Sequence, residues 1–158
     1  MKLVAAFIFE DNDVLYAEDL NFISSFNRNS VREIMHELVR AAVSNMQDTR
    51  KIFEHPPWQL VLMTMNQKTF VIVTDNDYPV GVSYELLMKL HHQPDVLTSM
   101  IRECQDPRTI SPIYRVRQQL DETLVIMHEN VDKILQRNED INELVQKSER
   151  LSNQSKIF

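Results

Sequence analysis

The chain opens on an unbroken apolar stretch, Leu3-Val4-Ala5-Ala6-Phe7-Ile8-Phe9, closed by Glu10-Asp11-Asn12-Asp13. A short apolar run bounded by a polar turn predicts a buried strand over Lys2 to Phe9, with Val14-Leu15-Tyr16 as its hairpin partner. Residues 17–28 are mixed and predict a loop. Asn29-Ser30 then reads as a helix start, because either side chain caps a free backbone N–H and Glu33 follows Ser30 at capping-box spacing. Val31, Ile34, Met35, Leu38, Ala41, Ala42 and Met46 recur at helical spacing, which extends an amphipathic helix to about Gln47.

Lys51-Ile52-Phe53 predicts a short strand ended by Pro56-Pro57. The clearest hairpin joins Trp58 to Met65 with Thr69 to Thr74 across Asn66-Gln67-Lys68. After the turn Asp75-Asn76-Asp77-Tyr78-Pro79, a second helix runs from Val80 to about His91, with Val82, Leu86, Leu87 and Leu90 on one face. Pro94 stops it, and a third begins near Asp95 with Val96, Leu97, Met100 and Ile101. The order β-β-α-β-β-β-α-α, with consecutive strands, predicts an antiparallel sheet with helices on its faces, an α+β fold.

The remainder is of another kind. The first domain is placed at 1–104, a linker with Pro107 at 105–111, and a separate segment at 112–158. Ser111-Pro112 is a helix-start signal, and neither Pro nor Gly follows. A helix of that length would be about 70 Å long, too long for a small domain to enclose. Alternating steps of three and four trace one seam through Ile113, Val116, Leu120, Thr123, Met127, Asn130, Ile134, Arg137, Ile141, Leu144, Ser148, Leu151, Ser155 and Phe158. This is a coiled-coil a/d frame, and Asp121, Glu122, Glu129, Asp132, Glu139, Asp140 and Glu143 lie off it. Leu124, Val131, Leu135 and Val145 widen the apolar face beyond what a two-stranded coil buries, towards a four-helix bundle.

Arg137 stands in the middle of that seam. Alone, it reads as a surface residue on a periodic helix; the unbroken frame on both sides places it in the core. A homodimer would stack it on its own copy, which like-charge repulsion opposes. In a heteromeric bundle the side-chain amides of Gln would offer neutral acceptors.

Composition narrows the function. The net charge of −6 disfavours a broad phosphate-binding face, and with it nucleic acid. The chain has one glycine, Gly81, which leaves no phosphate-cradling loop. Its one cysteine, Cys104, forms no internal disulfide and fits a reducing compartment. His91-His92 reads as a helix end, since adjacent side chains diverge on a helix and no further ligand has metal spacing. Asp75-Asn76-Asp77 lacks the Gly and Glu of a calcium loop and reads as turn chemistry. No catalytic, cofactor-binding or metal residue is predicted.

Three stretches, Leu120-Asp121-Glu122-Thr123, Glu129-Asn130-Val131-Asp132-Lys133-Ile134-Leu135-Gln136-Arg137 and Leu144-Val145-Gln146-Lys147-Ser148-Glu149, resemble an R-SNARE motif. The resemblance implies that Arg137 is the central ionic layer, opposite three glutamines from partner helices. It implies that the other seam residues are core layers. Phe26-Asn27-Arg28-Asn29-Ser30-Val31, Asp75-Asn76-Asp77-Tyr78-Pro79 and Gln105-Asp106-Pro107 resemble the longin domain of lipid-anchored, YKT-type R-SNAREs. The fold so implied is longin (profilin-like): a five-stranded antiparallel sheet with one helix on one face and two on the other, followed by a long SNARE helix.

The implied function is membrane fusion through a four-helix bundle with syntaxin-like and SNAP-25-like Q-SNARE helices, on the cytosolic face of Golgi, ER, endosomal or vacuolar vesicles. Without partners the segment is expected either to be disordered or to fold back on the longin domain; fold-back is the favoured reading, with the second stripe and Phe158 covering a sheet–helix groove and the longin domain regulating the motif. Four departures stand out. Asn138 follows the Arg where the family usually has Gly, and Glu37 stands where the family has an apolar residue. The stretch from Pro94 to Cys104 is short. The family tail runs past Phe158 to paired, lipid-accepting cysteines, so the motif is read as incomplete and membrane attachment as resting on a lipid anchor absent from this chain. A second reading is a longin-fold trafficking adaptor whose C-terminal helix drives no fusion.

Overall fold

A computed structural model of the chain describes residues 2–11, 13–46, 49–105 and, as backbone, 128–130. The elements are β1 (Leu3–Glu10), β2 (Asp13–Glu18), α1 (Arg28–Ser44), β3 (Arg50–His55), β4 (Trp58–Met65), β5 (Lys68–Asp75), α2 (Val80–His92), a 3₁₀ turn at Pro94–Val96, α3 (Leu97–Glu103) and β6 (His128–Asn130). The sheet order is β2-β1-β5-β4-β3-β6. The first five strands pair antiparallel throughout, as the alternation of strands and short turns predicts.

Strand periodicity divides the core into two layers. Val4, Ala5, Phe7, Phe53, Leu60, Leu62, Val71 and Val73 face α1, which answers with Val31, Ile34, Met35, Leu38, Val39 and Ala42. Leu3, Ala6, Ile8, Ile52, Val61, Met63, Phe70 and Ile72 face α2 and α3, which answer with Val82, Leu86, Leu87, Leu90, Leu97, Met100 and Ile101. One helix on one face and two on the other is the expected longin arrangement. Both faces being covered explains why β1, β4 and β5 read as continuous apolar runs rather than alternating ones. The pairing of β1 with β5 shifts register between Leu3 and Ala5, so Val4 and Ala5 are both on the α1 side before strict alternation resumes at Ala6.

With its one glycine placed in α2, the chain makes its tight turns from other residues. Asn66 and Gln67 both take positive φ, 53° and 65°, in the β4–β5 turn. That matches a two-residue turn whose twist suits a hairpin. Asp11, at φ 52°, does the same after β1. The β3–β4 connection is Pro56-Pro57, joined by a cis peptide bond.

The predicted start of α1 is corrected. The helix begins at Arg28, so Asn29 and Ser30 lie inside its first turn, and no side chain caps it. The start is fixed from outside: the Arg28 guanidinium donates from Nε to the carbonyls of Leu20 (3.2 Å) and Ile23 (3.0 Å), tying the preceding loop to the helix. The helix also ends at Ser44, short of Gln47. The Asp75–Pro79 stretch is a structural joint. The Tyr78 amide closes the turn on the Asp75 carbonyl at 3.1 Å. Its buried hydroxyl donates to the Cys104 carbonyl at 3.1 Å, and its carbonyl accepts from Gln59 Nε2 at 2.8 Å. One tyrosine thereby joins β4, the turn and the end of α3.

Phe7 is 1% exposed and stacks on Phe9 and Tyr16, whereas Leu15 on β2 is 57% exposed. Phe7→Ala is expected to cost ~3–5 kcal/mol and Leu15→Ser less than ~0.5 kcal/mol. Urea unfolding of both variants checks this; comparable losses would contradict the layer assignment.

Candidate functional site

The strand at the far side of the sheet positions the site. Ile52 and Phe53 of β3 are each 0% exposed, one in each core layer. β3 pairs with β4 from Arg50↔Met63 to His55↔Trp58. The Thr64 amide donates to the Thr49 carbonyl at 2.8 Å, which sets the ladder phase: Lys51, Phe53 and His55 aim their backbone groups at β4, and Arg50, Ile52 and Glu54 aim theirs outward. A strand so covered on both faces cannot leave that outward edge dry at no cost.

β6 fills it. His128, Glu129 and Asn130 run parallel to β3 in the register Ile52↔His128, Phe53↔Glu129 and Glu54↔Asn130. These three residues fall within the segment predicted as one helix, so at 128–130 the helix expectation is corrected to strand. An a/d stripe without partner helices loses the packing that gives a helix most of its stability, and His and Asn are poor helix formers. An open sheet edge offers their backbone a direct alternative.

Among the predicted seam residues, Asn130 lies on β6. Ile113, Val116, Leu120, Thr123, Met127, Ile134, Arg137, Ile141, Leu144, Ser148, Leu151, Ser155 and Phe158 lie outside the described residues, as does a cover supplied by Phe158. The importance of β3 was readable from Lys51-Ile52-Phe53 only as a short strand; nothing in its composition marks an accepting edge. The edge begins with two cations: Arg50 stacks on Tyr84 at 5.3 Å and Lys51 on Phe53 at 4.9 Å. Burial pushes the Tyr84 hydroxyl up to about 12, against the opposing pull of Arg50.

The opposite side of the α1 layer holds a second polar group. The Arg32 guanidinium pairs with Glu18, and His36 Nε2 stands 3.8 Å from the same carboxylate. The His36 ring meets Phe7 and Tyr16 edge-on at 5.2 and 4.7 Å. Burial holds its pKa below the usual value, with Glu18 pulling the other way. Glu37, half-buried, pairs with Arg40 at 3.0 Å. Among the described residues no group of three or more His, Cys, Asp and Glu side chains is arranged to hold a metal. His91 packs edge-on against Phe70 at 5.7 Å, at the end of α2. Cys104 is buried, and burial raises its thiol pKa. Among the described residues no helix is long and apolar enough to cross a membrane.

The sequence profile of the Synaptobrevin family matches residues 112–158, the whole of the seam. Similarity to whole proteins extends further. The chain is 32% identical over 165 aligned residues to the Synaptobrevin homolog YKT6 of Debaryomyces hansenii, covering 90% of this chain and 82% of that protein. The chain belongs to the YKT6 family of synaptobrevin homologues. The YKT6 homologue of Yarrowia lipolytica is 30% identical over the same shares of both chains. The VAMP-like protein YKT61 of Arabidopsis thaliana is 27% identical over 90% of this chain and 81% of its own. This YKT6-family chain is therefore an R-SNARE of vesicle trafficking, from a family of trafficking proteins rather than enzymes, whose partners are other SNAREs.

The β6 pairing is open to a direct check. Glu129→Pro removes one backbone donor from the ladder, and proline is tolerated poorly in a paired strand. The outward amides of Ile52 and Glu54 are expected to lose hydrogen-exchange protection while those of β1, β4 and β5 keep it. Unchanged protection would mean that β6 does not hold the edge in solution.

Proposed function

We propose that this R-SNARE pairs through residues 112–158 with three Q-type helices, syntaxin-like and SNAP-25-like, in a four-helix bundle that drives fusion at ER, Golgi, endosomal or vacuolar membranes. The observation that carries the reading is the Synaptobrevin match across 112–158 with Arg137 in the frame of the seam. Arg137 forms the ionic layer, its guanidinium satisfied by glutamine carbonyls. Ile113, Val116, Leu120, Thr123, Met127, Asn130, Ile134, Ile141, Leu144, Ser148, Leu151, Ser155 and Phe158 form the other layers. The work is the free energy of burying that seam, and no bond is made or broken.

The longin part, placed at 1–104 with a linker to 111, regulates the motif by competing for it. The geometry supporting this is that His128, Glu129 and Asn130 cannot be a strand on β3 and a helical turn in a bundle at once. A strand rises about 3.3 Å per residue and a helix 1.5 Å, so joining the bundle strips the β3 edge.

Two measurements test the two halves separately. With Q-SNARE helices, Arg137→Gln is expected to assemble with a four-glutamine layer, and Arg137→Leu to assemble with poorer discrimination of register and partner. Unchanged discrimination in Arg137→Leu would remove Arg137 from the core. Association of the whole chain is expected to be about tenfold slower than that of a peptide of residues 112–158, because only the released fraction is competent. Equal rates would refute the regulation and leave the pairing standing.

A further inference from the structure

The sheet has two edges, and they are managed differently. The β3 edge carries a segment of the chain itself. β2 closes the other side of the sheet, and among the described residues no strand lies beyond it. The Asp19 amide donates to the Val4 carbonyl at 2.8 Å, so the register Ala5↔Glu18 to Glu10↔Asp13 points the backbone groups of Asp13, Leu15 and Ala17 at β1. Those of Val14, Tyr16 and Glu18 point outward.

Natural edge strands are usually protected by lysine, proline or a bulge. The strand Asp13-Val14-Leu15-Tyr16-Ala17-Glu18 has no lysine or proline, and its register with β1 runs without a shift. Val14, Leu15 and Tyr16 are 44%, 57% and 48% exposed, three successive apolar side chains that spread over both faces. The strand also ends in a cleft. Ala17, Glu18, Asp19 and Asn21 on one side and Thr98, Ile101 and Arg102 of α3 on the other line an open cleft of about 330 Å³. Chain added along β2 would run straight to its mouth.

Charge selects the occupant. Asp11 and Asp13 stand at one end of the edge and Asp19 at the other. A second copy of the chain, paired antiparallel about Tyr16, would set Asp13 against Asp19 of its partner twice over. Like charges directly opposite each other oppose such a pair. A strand with an apolar centre and Lys or Arg at its ends meets Asp11 and Asp13 at one end of the edge and Asp19 at the other, Glu18 being already paired with Arg32.

We propose that the β2 edge is a docking site for an extended peptide segment of a partner protein, apolar in its middle and basic at both flanks, added antiparallel to β2 as a further strand. Backbone hydrogen bonds to Val14, Tyr16 and Glu18 hold it, Leu15 and Tyr16 grip alternate side chains, and the cleft beside Ala17 and Ile101 receives the side chain that passes the end of β2. The site is distinct from the β3 edge, so a peptide on β2 leaves β6 in place.

The test uses the whole chain and a synthetic peptide, Lys-Lys-Val-Thr-Val-Ile-Val-Lys-Lys, with a second in which every Lys is Glu. Amide exchange and chemical-shift mapping are expected to show protection of Val14 and Tyr16 with the Lys-flanked peptide, little change at Ile52–Glu54, and at least about tenfold weaker binding of the Glu-flanked peptide. Val14→Pro removes an outward donor at an edge, where proline is tolerated, and should abolish the protection. Asp13→Lys leaves the backbone intact and should narrow the preference between the peptides. Equal binding of both peptides, protection at β3 instead of β2, or protection of Val14 and Tyr16 that grows with protein concentration without peptide would each overturn the proposal.

Discussion

The outward edge of β3 is the constraint on which the rest turns. Ile52 and Phe53 are wholly buried in opposite layers, so the backbone between them sits in a strand that α1 covers on one side and α2 on the other. An edge strand half open to water is satisfied by solvent; one covered on both faces is better satisfied by another strand. The chain meets that demand with His128, Glu129 and Asn130 in parallel register. The folded sheet and the C-terminal segment are thus coupled through main-chain hydrogen bonds, which need no particular side chains at the three positions.

That explains what could and could not be read in advance. The two-layer fold was legible because burial on both faces writes itself as continuous apolar strands, and because α1 and α2 each carry a clean apolar stripe. Element order followed, and the placing of one helix against two came with the resemblance to the longin domain. The start of α1 was misplaced because Asn29 and Ser30 have the right side chains for a cap, yet Arg28 reaches back to the Leu20 and Ile23 carbonyls and begins the helix earlier. A tertiary contact overrode a local signal.

The candidate site divides in the same way. Side-chain spacing speaks of the conformation in which the stripe is buried, which is why the family of the chain was legible in residues 112–158. It says nothing of what the segment does without partners. His128-Glu129-Asn130 has no strand alternation and no β-branched residue, and its strand state is imposed by the vacant edge rather than by its own preference. The β2 edge was hidden for the converse reason: Val14-Leu15-Tyr16 reads as a strand in sequence, and only the sheet order shows that it is an outer one.

Magnitudes then decide what an edge of this kind does in the mechanism we propose. A three-residue parallel ladder supplies a few backbone hydrogen bonds, each worth ~1 kcal/mol net. Burial of a single Leu, Ile or Val contributes ~1.5–3 kcal/mol, and the seam offers Ile113, Val116, Leu120, Ile134, Ile141, Leu144 and Leu151. The ladder is too weak to prevent a bundle that buries even half of those residues. It is strong enough to hold the segment against an encounter that buries only one of them. Under that proposal the longin sheet acts on the order and selectivity of assembly: a contact that buries a single seam residue fails to displace β6, and a correctly aligned set of helices does. Such a filter needs its two energies to differ severalfold, and a short parallel strand set inside a long helical seam has that ratio built into its length.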